Sequence, residues 1–315
     1  MNENTRTQIE AMKNQTIGVE VEMNNITRDR AAKIAANYFG TGRYENTALR
    51  NGYYTWSAWD ADGREWKFQR DGSISGIDSQ KCEMVTPILR YNDIPALQEL
   101  LRQLRHAGAK SDASRGCGVH IHIGADGHTA QTLRNLANIM ASHEGLLTDA
   151  LNLDRNRINQ YCQMVDTNFL TEVNRKKPKT MSKLADIWYG SHHANYGRDH
   201  HYNDSRYHML NLHATFTKGT VEFRLFQFDE PSEDRRGGLH AGQLKSYIQL
   251  CLALSQMAKT VRTASPKPQQ NENPKYAMRT WLLRLGFIGD EFKTAREILT
   301  KRLAGDTAFR NGRTA

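Results

Sequence analysis

The sequence predicts an α+β protein, in which strand-like segments are separated by amphipathic helices. Two observations favour this class. Segments such as residues 17–24 and 116–124 carry apolar residues at every second position, as expected when successive strand side chains point to opposite faces of a sheet. Several strand pairs also read as antiparallel, and one is joined by an Asp-Gly turn. We therefore expect an antiparallel sheet with helices packed against its apolar face.

The first half of the chain is predicted to hold most of the strands. The Asp62–Gly63 turn between two aromatic segments indicates a hairpin. Thr27 is a favourable N-cap for the helix after the first strand, and Pro87 interrupts a later strand. The predicted elements are a strand at 17–24, a helix at 27–40, a hairpin at 53–72, a strand at 81–89, a helix at 92–106 and a strand at 116–124.

The second half is predicted to be mostly helical. A long helix at 129–151 precedes a largely helical stretch at 157–189 and a loop at 190–205 that is rich in histidine. Two strands at 206–216 and 220–229 are expected to be joined by a Lys218–Gly219 turn. A helix at 239–262 closes the main domain, which we expect to span residues 1–262. Polar residues 263–274 then form a linker, and residues 275–315 form a helical extension.

Composition limits the class of protein and of partner. The 315 residues include 43 Lys and Arg against 34 Asp and Glu, for a net charge of +9, which favours anionic partners. The four cysteines are widely spaced without a C-x-x-C pair, as is typical of reduced thiols inside a cell. The polar N-terminus does not resemble a signal peptide, and no apolar run reaches the length of a membrane span. We expect a soluble cytoplasmic protein that does not contact a membrane.

Reactive side chains share the polar faces of the predicted strands. Residues two apart in a strand lie on one face, so each pair below should project side by side. A polar face of this kind is also what a solvated sheet surface looks like, and one Glu-x-Glu or His-x-His decides nothing alone. The residues are Glu20 with Glu22, His120 with His122, Glu222 with Arg224, and the single Glu83.

A divalent cation would explain these faces together. Like charges on neighbouring strand positions are destabilising, and a bound cation removes that penalty. Carboxylate oxygens are the ligands that Mg²⁺ and Mn²⁺ prefer, and imidazole suits Mn²⁺ better than Mg²⁺. The sequence therefore predicts a metal site on the polar face of the sheet.

The motifs resemble those of a known superfamily. "GCGVHIHIG" resembles the G-S-G-x-H-x-H segment of glutamine synthetases. "VEVEMN" resembles the first-strand Glu-x-Glu signature of the glutamine synthetase and glutamate–cysteine ligase superfamily, and "TVEFRLFQFD" resembles its late Glu-x-Arg strand. With "CEMVTPIL" between them, residues 15–230 look most similar to the stand-alone amidoligases of that superfamily.

The resemblance implies a glutamine synthetase-like curved antiparallel sheet and an ATP-dependent carboxylate–amine ligase. In such enzymes a carboxylate attacks the γ-phosphate of ATP, and an amine then displaces phosphate from the acyl phosphate. The cofactors implied are ATP and Mg²⁺ or Mn²⁺. The metal ligands implied are Glu20, Glu22, Glu83, His120 and Glu222. The nucleotide or substrate contacts implied are His122, Arg206 and Asn211, and the catalytic residues implied are Arg224, Glu222 and Glu20.

Departures from the family pattern leave the substrates open. Glutamine synthetases carry an Arg two residues before the late Glu, where this chain has Thr220. We find no counterpart of their ammonia-site loop, so an amine other than ammonia is expected. The excess of basic residues favours an amine or carboxylate on a larger anionic acceptor. The sequence names neither substrate and predicts no oligomeric state.

Two other functions remain open at this stage. A zinc hydrolase could use His120 and His122 with further histidines from residues 192–213. A nucleic-acid-binding protein could use the basic charge with the aromatic residues of 53–68, although no recognition motif is present. The Glu-x-Glu and Glu-x-Arg strands favour the ligase over both.

Overall fold

The structure, a computed structural model, describes residues 3–231, 238–268 and 272–308. Over these residues the chain forms an α+β fold with antiparallel strand pairs, which confirms the predicted class. The chain divides into two compact units. The described residues within 16–122 and 226–245 form one, called the sheet unit. Those within 1–15, 123–225 and 246–315 form the other, called the helical unit.

Most strands precede most helices along the described chain. The strands are β1 (Ile17–Met23), β2 (Tyr44–Asn46), β3 (Trp56–Trp59), β4 (Glu65–Gln69), β5 (Cys82–Val85), β6 (Val119–Gly124), β7 (Leu210–Asn211) and β8 (Thr220–Phe226). The helices before β6 are α1 (Glu3–Lys13), α2 (Arg28–Tyr38), α3 (Ala48–Asn51) and α4 (Ile94–His106). Those after β6 are α5 (Ala130–Leu151), α6 (Arg155–Gln160), α7 (Thr167–Lys176), α8 (Met181–Ser191), α9 (His213–Lys218), α10 (Ala241–Thr260), α11 (Pro274–Arg284) and α12 (Lys293–Thr300).

The strands of the sheet unit lie in the order β2-β3-β4-β5-β1-β6. β1 pairs with β5 and β3 pairs with both β2 and β4, all antiparallel, and β4 pairs antiparallel with β5. In the β1–β5 register Glu22 lies opposite Glu83, and in the β4–β5 register Gln69 lies opposite Glu83. The register therefore brings the polar faces of three strands into one line.

The opposite face of the same strands forms a core. Val19 and Val21 of β1 are 1% and 0% exposed, and they alternate with the two glutamates as the sequence predicts. On β4 the alternation buries Trp66 and Phe68. Helix α2 packs on β3 and β4 through a run of small residues, and the Phe39 ring lies 4.9 Å from the Trp66 ring. An apolar core on one face thus leaves the other face for the polar side chains.

Helices make up most of the helical unit. The N-cap of α5 is Thr129, whose hydroxyl accepts a hydrogen bond from the backbone N–H of Thr132. α7 packs against α8, and α12 packs against α5 and α11. β7 and β8 pair antiparallel, so that Asn211 lies opposite Glu222. This short ladder sets the geometry of the polar residues in the helical unit.

One predicted strand is wrong. Of residues 206–216, 210–211 alone are in a strand, and α9 follows at once. The side chain of Thr217 bonds the backbone oxygen of His213, one helical turn back, and Gly219 ends the helix at a φ of +70°. The Lys218–Gly219 turn therefore connects a helix to β8, not a strand to a strand.

The other predicted elements are found close to their expected places. The helix predicted at 239–262 is α10, and the largely helical stretch at 157–189 holds α7, α8 and part of α6. No helix in the described part of the chain is long and apolar enough to cross a membrane. The predicted domain boundaries at 262 and 274 stay predictions, as does the curvature of the sheet. Residues 269–271 of the predicted linker and 309–315 of the extension lie outside the described residues.

Candidate active site

Two buried carboxylates face each other across β1 and β5. Glu22 and Glu83 are register partners, and they are 4% and 5% exposed. Gln69 on β4 donates a hydrogen bond of 2.7 Å from its amide nitrogen to Glu83. The backbone N–H of Gly118 donates to Glu22 at 2.5 Å. Each carboxylate thus has a neutral donor, and neither donor cancels its charge.

Glu20 lies between the two histidines of β6. His120 Nδ1 is 3.0 Å from Glu20 Oε2, and His122 Nε2 is 3.3 Å from Glu20 Oε1. His120 Nε2 is 3.9 Å from Glu22 Oε1, so this imidazole reaches both glutamates of β1. A Cβ added to Gly18 would lie 3.3 Å from the Cβ of His122. The missing side chain at Gly18 therefore lets His122 pack closely against β1.

Glu20 and Glu83 have pKa values shifted in opposite directions. Burial raises the pKa of Glu20, but the charge of His122 and the hydrogen bonds of both histidines outweigh burial and hold it well below its usual value. Burial raises the pKa of Glu83 well above its usual value, and the charges of Glu20 and Glu22 raise it further. Within residues 3–231, 238–268 and 272–308, no Lys or Arg forms an ion pair with these three glutamates. Among the described residues, the cationic neighbours of the three carboxylates are therefore the imidazoles of His120 and His122.

The donors of the sheet unit are close enough to share cations. Glu20, Glu83 and His120 offer ligand atoms within 4.8 Å of one another, and so do Glu22, Asp71 and Glu83. Three or four carboxylates with one imidazole form the kind of donor set that suits Mg²⁺ or Mn²⁺. Such a cation would also relieve the repulsion that raises the pKa of Glu83. The donor set therefore fits the metal that the sequence implies.

A second polar group lies in the helical unit and centres on Glu222. The carboxylate accepts a hydrogen bond of 2.6 Å from Arg224 Nη1 and another of 2.6 Å from Asn211 Nδ2. All three residues are buried. The amide nitrogen of Asn211 spends one of its two N–H groups on Glu222, and its Oδ1 has no partner among the described residues. Asn211 therefore has an acceptor available for a ligand.

Arg206 lies beside this second group. Its Nη1 donates to the backbone oxygen of His201 at 3.1 Å. The guanidinium carbons of Arg206 and Arg224 each lie 5.8 Å from the centre of the Tyr207 ring. The two arginines thus share one aromatic neighbour, and the attraction of each cation to the ring holds it near that ring.

The predicted site residues thus fall into two groups. Glu20, Glu22, Glu83, His120 and His122 come together in the sheet unit, and Arg206, Asn211, Glu222 and Arg224 come together in the helical unit. Sequence reasoning missed Gln69 and Asp71. Gln69 could have been found, because it alternates with the buried Phe68 of β4. Asp71 follows the strand in a loop, where no periodicity marks it.

The histidines of the loop at 190–205 do not join a metal-type group in the described part of the chain. His192 packs on Trp188, with ring centres 4.1 Å apart, and lies 4.5 Å from the ring of His208. Burial lowers the pKa of His208 to about 4. His192 and His208 thus pack against aromatic rings, and no group of three metal ligands forms with the loop histidines among the described residues.

Comparison with known proteins identifies the family. The profile of the family described as "Putative amidoligase enzyme" matches residues 13–255, a range that contains both polar groups. No curated protein sequence matches the chain. A crystal structure of a bifunctional glutathione synthetase from Pasteurella multocida resembles it with a TM-score of 0.42 and 13% identity. That match covers 96% of this chain and 49% of the other, so the chain spans about half of that protein, and the likeness is too weak to identify a function. The family match covers most of the chain, which therefore belongs to the amidoligase family.

Proposed function

We propose that the protein is an ATP-dependent carboxylate–amine ligase that forms an amide bond through an acyl phosphate. Family membership supports a ligase in general. The observation that carries the ATP-dependent reading is the group of buried carboxylates around Glu22 and Glu83, which lacks a compensating cation among the described residues. Nucleotide phosphates bring divalent metal with them, and such carboxylates are the groups that hold it.

The proposed metal ligands are those of the sheet unit. Glu20, Glu22, Glu83 and His120 would hold Mg²⁺ or Mn²⁺, with Asp71 as an added candidate. When bound, the metal would neutralise phosphate charge. Glu20 suits this role because its lowered pKa keeps it ionised near pH 7. Glu222 stays a proposed ligand, although both of its oxygens accept hydrogen bonds from Arg224 and Asn211.

The proposed reaction has two displacements. An oxygen of the substrate carboxylate attacks the γ-phosphorus of ATP, and the bond to the β–γ bridging oxygen breaks to release ADP. The amine nitrogen then attacks the acyl carbon, phosphate leaves with the C–O electron pair, and the nitrogen loses a proton. Phosphoryl transfer depends mainly on positioning and on stabilising charge. Arg224, fixed in place by its ion pair with Glu222, is the proposed stabiliser of the transferred group, and His122 is the proposed phosphate contact.

The acceptor is proposed to be anionic. The charge excess is densest at the turn between α7 and α8, where five cations fall within nine residues: Arg175, Lys176, Lys177, Lys179 and Lys183. Glu172 pairs with the first two. The other three have no ion pair among the described residues. We call residues 175–183 the basic turn. An acceptor with several phosphate or carboxylate groups would be attracted to it.

Binding of ATP with metal tests the proposal before the substrates are known. Calorimetric titration of ATP with and without Mg²⁺ or Mn²⁺ would be made on the wild type, Glu20→Gln and His120→Ala. We expect metal-dependent binding to the wild type and its loss in both variants. Matched controls are Glu45→Gln on β2 and His106→Ala at the end of α4, since both side chains are exposed. If the wild type bound no nucleotide and retained zinc through purification, the ligase proposal would be overturned and a hydrolase favoured.

A further inference from the structure

Arg157 is a buried arginine that the proposed reaction does not yet use. It lies on α6, whose N-cap is Asp154, and it is 7% exposed. Arginine is rarely buried this fully unless its charge is paired. The position of this side chain therefore needs an explanation.

The guanidinium of Arg157 lacks a counter-ion among the described residues. Its Nη2 donates a hydrogen bond of 2.8 Å to the backbone oxygen of Arg224, and its Nε has no partner there. The nearest acidic residue in sequence, Asp154, accepts the backbone N–H of Arg157 and not its side chain. A neutral carbonyl orients a guanidinium but does not balance its charge, and an unbalanced buried charge is costly.

Arg224 is held in a reciprocal way. Its Nε lies 3.5 Å from the backbone oxygen of Tyr161, the residue that follows α6. Each arginine thus bonds a backbone oxygen of the segment that carries the other. Glu222 is the carboxylate paired with Arg224. Arg224 thus has a carboxylate partner, whereas the guanidinium of Arg157 has no ion pair among the described residues.

We propose that Arg157 and Arg224 together form a binding site for an oxyanion, a phosphoryl or carboxylate group of a substrate. The guanidinium fork matches the oxygens of both groups. The charge of Arg157 supplies the attraction, and the bonds of both arginines to backbone oxygens fix their orientation. The inference rests on the proposed function for the identity of the anion, and for its existence on the buried guanidinium of Arg157, which bonds the backbone of Arg224 and has no ion pair among the described residues.

Anion binding can be measured on the full chain without nucleotide and with metal chelated. The wild type would be titrated by calorimetry with inorganic phosphate and pyrophosphate in one arm and with acetate and glutarate in the other, at constant ionic strength. Saturable binding in either arm supports the site and assigns its anion. If the wild type binds none of these four anions, the proposed site is overturned.

Variants separate the anion site from a structural bond. Arg157→Gln keeps an amide donor for the backbone oxygen of Arg224 but removes the charge, and Arg155→Gln is the matched control, since it is an exposed arginine of the same helix. We expect the anion affinity to fall about tenfold or more in Arg157→Gln, as for the loss of a charge-assisted bond, and to be unchanged in Arg155→Gln. Wild-type anion affinity in a destabilised Arg157→Gln would show a purely structural role and overturn the proposal.

A further variant covers the case in which Arg157→Gln does not fold. Arg157→Lys keeps the charge and loses the fork, so we expect a drop in anion affinity smaller than that for glutamine. Unchanged affinity in Arg157→Lys would overturn the proposal. The failure of the ligase proposal is distinguishable, because Glu20→Gln should abolish metal-dependent ATP binding and leave phosphate binding intact.

Discussion

Glu22 and Glu83 are direct cross-strand partners in the β1–β5 register, and both carboxylates are buried. A folded chain rarely places two negative charges directly opposite each other, because the repulsion destabilises the sheet. Here the arrangement raises the pKa of Glu83 well above its usual value, through burial first and the neighbouring glutamates second. Two carboxylates in this arrangement repel each other when no cation is present, and a cation bound between them removes the repulsion. This is the arrangement that a metal site requires.

Removing one of the two charges should separate stability from metal binding. We expect Glu83→Gln to stabilise the metal-free protein by about 1 kcal/mol, since it removes a like-charge pair and keeps an acceptor for Gln69. We expect it to lose the stabilisation by Mn²⁺, which for a bound metal at one hundred times its dissociation constant is about 2.7 kcal/mol. Thermal unfolding with and without Mn²⁺ measures both effects.

The control for this variant is Glu45→Gln, an exposed glutamate on β2. It should respond to Mn²⁺ as the wild type does. Equal stabilisation of the wild type and Glu83→Gln by Mn²⁺ would remove Glu83 from the metal site.

A methyl group at position 18 should disturb the histidine face without unfolding the sheet. The added Cβ of Gly18→Ala would lie 3.3 Å from the Cβ of His122, so the imidazole must shift by a few tenths of an ångström. We expect metal–ATP affinity to fall several-fold, because positioning dominates such sites. Calorimetry measures this change, and circular dichroism checks the fold.

Gly145→Ala provides the matched control. Gly145 lies inside α5, and a Cβ there would meet no atom within 4 Å. This variant should gain about 0.5–1 kcal/mol of stability, as glycine in a helix does when replaced by alanine, and keep its ATP affinity. If Gly18→Ala also kept wild-type affinity, the close packing of His122 on β1 would have no part in binding.

The faces of β1 and β6 could be predicted from the sequence, and the neighbours of those strands could not. Alternation with a period of two places Glu20 with Glu22 and His120 with His122, whatever the rest of the sheet does. The pairing of Glu22 with Glu83 depends on strand order and register, which single-strand patterns do not encode. Asp71 has no periodicity because it lies in a loop. Arg157 carries no signal of burial, since arginine is usually exposed.

Stability should depend on pH through Glu144. Burial raises the pKa of this side chain in the folded state from 4.5 to about 7, against the lowering effect of its hydrogen bond from the Val165 N–H. Below pH 4.5 both states hold the proton, and the residue contributes no pH dependence. Between pH 4.5 and pH 7 the unfolded state ionises while the folded state stays protonated, so the folded state loses up to about 3 kcal/mol of stability as the pH rises.

Replacing Glu144 by Gln removes this loss. The free energy of unfolding of Glu144→Gln, minus that of the wild type, should therefore rise between pH 5 and pH 8 and level off above pH 8. The new amide can add a difference that is the same at every pH, and this does not affect the trend. Urea unfolding of both proteins at several pH values measures the difference. If the free energies of unfolding of the two proteins changed with pH in parallel, Glu144 would have an ordinary pKa in the folded protein.

The basic turn at residues 175–183 should make binding of an anionic acceptor depend on salt. Lys177, Lys179 and Lys183 are exposed and have no ion pair among the described residues. Duplex DNA serves as a probe of a regular line of phosphates. If each lysine neutralises one phosphate, replacing all three by glutamine should reduce the slope of log affinity against log salt by roughly 2.7.

The control removes the same charge elsewhere, at Lys33, Lys267 and Lys293, and should leave most of the slope. Equal slopes for the two triple variants would show that net charge, not the basic turn, attracts the polyanion. Tight binding that ignores salt in the wild type would instead remove the anionic acceptor from the proposed function.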